Sequence, residues 1–246
     1  MIRSLLITLW FGIFLMACQS LERPATAKPD ASKLRETIKE QIAEKKQLEL
    51  IKEQLEKGHL SESIKKYKPI IKKYSKRYGF DWRLIAAQIV QESGFKIKAK
   101  SRVGAHGLMQ IMPGTAQEIS RELDIEYIMK NPRENITAGI YHLKKQLRYF
   151  PEADNNERTK FALASYNCGV GRVFDAQDIA RYYRKSPHQW RIVSPFLGDL
   201  KQSDWELHLQ VWPQGKPLHG YFYGSEETIT YVNNIWVLYK AYQKIL

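Results

Sequence analysis

The stretch that most constrains this chain is Asp81 to Thr115, which reads DWRLIAAQIVQESGFKIKAKSRVGAHGLMQIMPGT. Its first half has the spacing of an amphipathic helix: Leu84, Ile85, Gln88, Ile89 and Glu92 share one face, Asp81 is a good N-cap and Gly94 can end the helix. Glu92 is thereby placed on the apolar side. A carboxylate partly desolvated there keeps a proton near neutral pH, as a general acid must. A plainer reading stays open, that of a Glu at a helix end whose carboxylate reaches water. Lys96, Lys98, Lys100 and Arg102 follow closely. They pull the pKa of Glu92 down while burial pushes it up, although side chains beyond Gly94 are expected to face solvent and be screened. The second half has glycines at 104 and 107 and a Pro113-Gly114 pair. These predict an irregular loop that leads into a short helix near Thr115.

Three further blocks follow Glu92-Ser93 in order: Gly107-Leu108-Met109-Gln110, then Ala164-Ser165-Tyr166-Asn167, then Tyr231-Val232 near the C-terminus. Together the blocks resemble the Slt-type lytic transglycosylases, over a length running from about Tyr67 to the end of the chain. The resemblance implies that Glu92 is the catalytic acid. It implies that Ser93 and Gln110 bond sugar or acetamido groups, that Met109 and Tyr166 wall the sugar site, with Asn167 beside them, and that Tyr231 orients Glu92. Each of these side chains also has a plain packing role open to it. The substrate implied is the peptidoglycan glycan strand. Glu92 would protonate the oxygen linking N-acetylmuramic acid to N-acetylglucosamine. As a carboxylate it would then take the proton of the muramic C6 hydroxyl as that oxygen attacks C1, leaving a 1,6-anhydro end. Ordinary glycoside hydrolysis uses two carboxylates. No Asp or Glu stands between Ser93 and Gln117, which fits one acid, although folding can bring a distant carboxylate close. Two rivals remain: a goose-type lysozyme that adds water, and a catalytically inactive wall-binding scaffold.

The 246 residues, 43% of them hydrophobic, can bury one good core and are too few for several large domains. The formal charge of +13 favours anionic partners. No zinc-finger spacing or RNP box points to nucleic acid, so no nucleic-acid partner is expected. The histidines at 59, 106, 142, 188, 208 and 219 form no HExxH or other close ligand pair, which sets a metal site aside, and no cofactor is expected. Residues 1–17 carry a single cation, Arg3, and the apolar run LLITLWFGIFLMA, too short to span a bilayer comfortably. That run ends in LMAC, which resembles the bacterial lipobox and makes Cys18 the expected lipidated N-terminus; an uncleaved signal anchor is the alternative. Gln19 after the cysteine then suggests an outer-membrane lipoprotein facing the periplasm, tethered to the membrane by its lipid. Residues 18–32 read as a flexible tether.

Residues 33–60 read as a charged helical spacer, open to a protein partner or to lying on the following domain, and residues 61–246 as the catalytic domain. Helices are expected over Ser61 to Tyr78, from Asn131-Pro132, over Glu157 to Asn167, over Phe174 to Arg184 and from Glu226. The fold class is therefore mainly α, a lysozyme-like, goose-type helical domain. One exception is expected late in the chain. Trp205, Leu207, Leu209 and Val211 alternate with polar residues, which predicts a strand, with LHGYFYG returning as its hairpin partner. The aromatics there, Trp205, Trp212, Tyr221 and Tyr223, could stack on sugars or pack on the domain. Cys168, the other cysteine, reads as a small buried residue rather than a nucleophile.

Overall fold

A computed structural model describes residues 31–57 and 59–246. The leader, Cys18 and most of the tether lie outside the described residues. The chain divides into two units, Met1–Lys45 and Lys46–Leu246. In the first, residues 31–45 are helical, and the side chains described there are exposed. They belong to helix α1, Ala31–Lys57, so Ala31 and Ser32 are helical rather than tether.

The second unit begins at Lys46, upstream of the expected boundary at residue 61, because Ile51 and Leu55 on the last turns of α1 are buried in its core. Its helices are α2 (His59–Tyr78), α3 (Trp82–Ser93), α4 (Pro113–Leu123), α5 (Pro132–Leu147), α6 (Asn155–Cys168), α7 (Val170–Tyr182), α8 (Trp190–Val193), α9 (Trp205–Val211) and α10 (Ser225–Ile245), with short 3-10 turns at Ser194–Asp199 and Gln202–Asp204. Side-chain caps start three of the helices. Asp81 accepts from Arg83 N at 3.0 Å ahead of α3, Asn131 from Arg133 N at 2.9 Å ahead of α5, and Asp154 from Asn156 N and Glu157 N ahead of α6. Gly94, in the left-handed region at φ 55°, ends α3, its N–H bonding Val90 O.

Helix α6 sits deepest. Phe161, Ala162, Leu163 and Ala164 are consecutive and all fully buried, so the helix is wrapped on every side, packing on α5, α7 and α10. Helix α3 packs between α2 and α10, with Ile85, Ala86, Ala87 and Ile89 fully buried. This layering brings the C-terminal end of α3, where Glu92 stands, against the first half of α10 and the end of α6.

The expected hairpin does not form. Trp205–Val211 is helix α9, and the described residues contain no strand, only isolated bridges from His106 to Lys100 and Ile111. The alternation misleads because it places His208 among the outward polar residues. It is fully buried, with Nε2 2.8 Å from Asp199 O, whereas Trp205 and Leu209 are more than half exposed. With Leu207, His208 and Val211 turned inward the true period is helical. Trp212 is core, its indole N–H donating to Asp178 at 3.3 Å.

Candidate active site

A cleft of about 640 Å³ opens where α3, α6, α10 and the 101–112 loop meet. Glu92 stands in its wall, one residue before the end of α3. Tyr231, one and a half turns into α10, donates its hydroxyl to Glu92 Oε1 at 2.5 Å, and Gln88 Nε2 donates to the same Tyr231 oxygen at 3.2 Å. Gln88 is fully buried, one turn before Glu92 on α3. The three form a polarised chain in which Tyr231 occupies Oε1 and leaves Oε2 to carry a proton.

Burial pushes the Glu92 carboxyl up to about 8, against the Tyr231 hydrogen bond, which favours the charged form and pulls it down. The lysines downstream do not decide the matter: Lys96, Lys98 and Lys100 are exposed, where water screens them. Tyr166 and Tyr231 are both held well above the ordinary tyrosine range, first by burial and then by the Glu92 charge, so both keep their protons. His142 packs edge-on against Tyr166 with ring centroids 4.9 Å apart, and burial brings its pKa down to about 4, leaving it neutral.

The other motif residues divide into those that reach the cleft and those that build it. Tyr166 and Asn167 line it at the end of α6. Tyr166 donates to Met109 O at 2.7 Å, and Asn167 Oδ1 accepts from Thr228 at 2.7 Å, which orients its amide nitrogen for a ligand. Gln110 also lines the cleft, at φ 46°, a left-handed conformation that costs a non-glycine residue about 1 kcal/mol or more. Its side-chain amide holds that turn by donating to Gly107 O at 2.9 Å and Ala99 O at 3.2 Å. Ser93 is not among the lining residues; its hydroxyl lies 2.9 Å from Leu108 O and 3.2 Å from Ile89 O, fastening the glycine loop to the end of α3. Met109 does not wall the cleft either. It is fully buried against Gly139, where any Cβ would lie 2.5 Å from the methionine side chain, and Met112, 41% exposed, lines the cleft in its place.

Asn135 on α5 is the hidden organiser of the loop. Its amide accepts from Met109 N at 2.8 Å and donates to His106 O and Ile128 O at 3.0 and 3.1 Å. Gly107 at φ 81° lies against it, and a Cβ there would fall 2.6 Å from the Asn135 amide. Nothing in the sequence marks Asn135 except a polar residue on the core face of a helix, and Gln88 carries the same signal. Folding also delivers what the gap between Ser93 and Gln117 concealed: Glu226 and Glu227, on the first turn of α10, line the cleft as well. Cys168 is held protonated by burial, which raises its thiol to about 11.

Residues 69–189 match the family model of the transglycosylase SLT domain. Among curated relatives, proteins named membrane-bound lytic murein transglycosylase F are 36% identical over 72% of this chain in Desulfosudis oleivorans and 33% identical over 74% in Vibrio parahaemolyticus. The matches cover 36% and 32% of those proteins, so the chain spans about a third of the length of the relatives it matches. A solved lytic transglycosylase Slt from Pseudomonas aeruginosa aligns with 73% of this chain and 24% of its own at 30% identity and a TM-score of 0.47. Through its SLT domain, the chain belongs to the Slt-type lytic transglycosylase family.

Proposed function

We propose that the protein is a peptidoglycan lytic transglycosylase that cleaves the bond between N-acetylmuramic acid and N-acetylglucosamine and leaves a 1,6-anhydro end. The observation that carries this reading is a single desolvated carboxyl, Glu92, which burial in the cleft raises to about 8 while the Tyr231 hydroxyl takes one of its oxygens. Neutral at pH 7, Glu92 donates its Oε2 proton to the glycosidic oxygen as the C1–O bond breaks. The resulting carboxylate, steadied by the Tyr231 hydroxyl, accepts the proton of the muramic C6 hydroxyl as O6 bonds to C1. The acid is regenerated and no water is consumed. Asn167 and Gln110 bind the sugars and their acetamido groups, and Tyr166 walls the site. Ser93 and Met109 act at one remove, by holding the loop.

Glu92→Gln keeps the shape and removes the proton, and since a general acid contributes roughly 10² to 10⁴-fold, a residue serving as both acid and base should cost at least the upper figure. A variant that kept a tenth of the wild-type release of muropeptides from sacculi would refute the assignment.

Glu226 and Glu227 favour a second reading, goose-type hydrolysis, because a second carboxylate lining the cleft could activate water. Glu226→Gln and Glu227→Gln should leave turnover within about threefold under the one-acid mechanism and abolish it under the hydrolytic one.

The N-terminal layout belongs to the same proposal: residues 1–17 a lipoprotein signal, Cys18 the acylated end, and residues 61–246, with the end of α1, the catalytic part. The apolar run that stops at LMAC supports it, as does the membrane-bound designation of the curated relatives. The periplasmic face of the outer membrane is the location this implies, with any protein partner meeting the exposed first half of α1.

A further inference from the structure

Two segments at the cleft carry opposite charges. Glu226 and Glu227, both exposed, line it at the start of α10. The other is the lip segment that leaves Glu92, on which Lys96, Lys98, Lys100 and Arg102 are exposed, with Ser101 and Val103 beside them lining the cleft. None of these four cations makes an ion pair among the described residues. The segment is nevertheless firmly placed. Gly107 N and Gln110 Nε2 both bond Ala99 O, at 2.9 and 3.2 Å, Ser101 and Ala105 exchange bonds through Ser101 N and Oγ, and Phe95 stacks on Tyr67 of α2. A short rigid lip crowded with unpaired like charges is destabilised by their repulsion, and an anionic partner relieves it.

Glycan sugars are uncharged, but the peptides attached to them bear free carboxylates. We infer that the 96–102 lip is the docking edge for the carboxylate-bearing peptides of the strand seated in the cleft, while Glu226 and Glu227 repel those peptides from the start of α10. The cleft then accepts a strand with its peptides turned toward the lip, and acidic peptides become part of substrate selection. This rests on the cleft being the glycan site.

The test is co-sedimentation of the full chain with intact sacculi and with the same sacculi stripped of peptides by an amidase. A variant with Lys96→Gln, Lys98→Gln, Lys100→Gln and Arg102→Gln should bind intact sacculi about five- to tenfold more weakly at low salt, since exposed charge pairs each contribute little and are screened. Its affinity for stripped sacculi should equal that of the wild type. A control with Lys72→Gln, Lys73→Gln and Lys76→Gln on the outer face of α2, none of which lines the cleft, should bind both as the wild type does. Equal weakening on both substrates, no weakening on intact sacculi, or the same loss in the α2 control would overturn the inference. Product analysis of the same pellets judges the transglycosylase reading separately, because binding is read whether or not turnover occurs.

Discussion

At Glu92 two opposing influences meet, and their balance fixes how activity and stability should depend on pH. The carboxyl is raised from its ordinary 4.5 to about 8 because burial outweighs the Tyr231 hydrogen bond. Activity that needs the protonated acid should fall as pH rises through about 8. The native state holds this proton more tightly than the unfolded chain does. Its contribution to stability is therefore fully present below pH 4.5 and is lost as pH rises through about 8. Glu92→Gln should accordingly melt above the wild type at alkaline pH and converge with it toward pH 4.5, a comparison that thermal melts at several pH values would make; a constant offset would contradict the burial argument. Tyr231→Phe removes the one interaction that lowers the carboxyl, so the alkaline limb should shift to higher pH while kcat falls about tenfold or more. An unshifted limb would mean that Tyr231 serves packing alone. The position of Glu92 on the apolar face was legible from the spacing of α3. The outcome of its contest with the lysines was not, because it depends on α6 and α10 arriving from more than sixty and more than a hundred residues downstream.

Among the elements, the glycine loop shows most clearly what local sequence conceals. Its glycines announce an irregular turn, yet its shape is held by Asn135 on α5 and its attachment to α3 by the Ser93 hydroxyl. Asn135→Ala would leave buried backbone groups of Met109, His106 and Ile128 without partners, at a cost of about 2–4 kcal/mol. Denaturant unfolding should show that loss, together with weaker turnover, although Asn135 lies behind the cleft; unchanged stability would contradict its role as the loop's anchor. Helix starts were readable at the caps Asp81 and Asn131, whereas α6, capped by Asp154, begins at Asn155, two residues before the expected Glu157. The reading failed at α9, where a buried histidine mimicked a polar residue in an alternating strand. Met109 fails for a related reason: a motif fixes which residue stands at a position, and Gly139 on a distant helix decides that the side chain turns inward.

On the scale of the whole molecule, the helical unit Lys46–Leu246, which holds the Glu92 cleft, makes up most of the chain. If Cys18 is acylated, Cys18→Ser should move the protein out of the membrane fraction or leave it unprocessed. Unchanged mature mass and unchanged fractionation would defeat the lipoprotein proposal. The all-α architecture was legible because the core is built from long apolar-faced helices whose period is unambiguous. The meeting of Glu226 and Glu227 with Glu92 was hidden, since only the docking of α10 on α3 brings them into one cleft. That meeting makes the fate of water the sharpest question about this site. Sacculi digested by the full chain in ¹⁸O-enriched water, with the muramic ends resolved by mass spectrometry, answer it directly. The account predicts unlabelled 1,6-anhydro ends, since O6 and not water attacks C1; ¹⁸O-labelled reducing ends would contradict it.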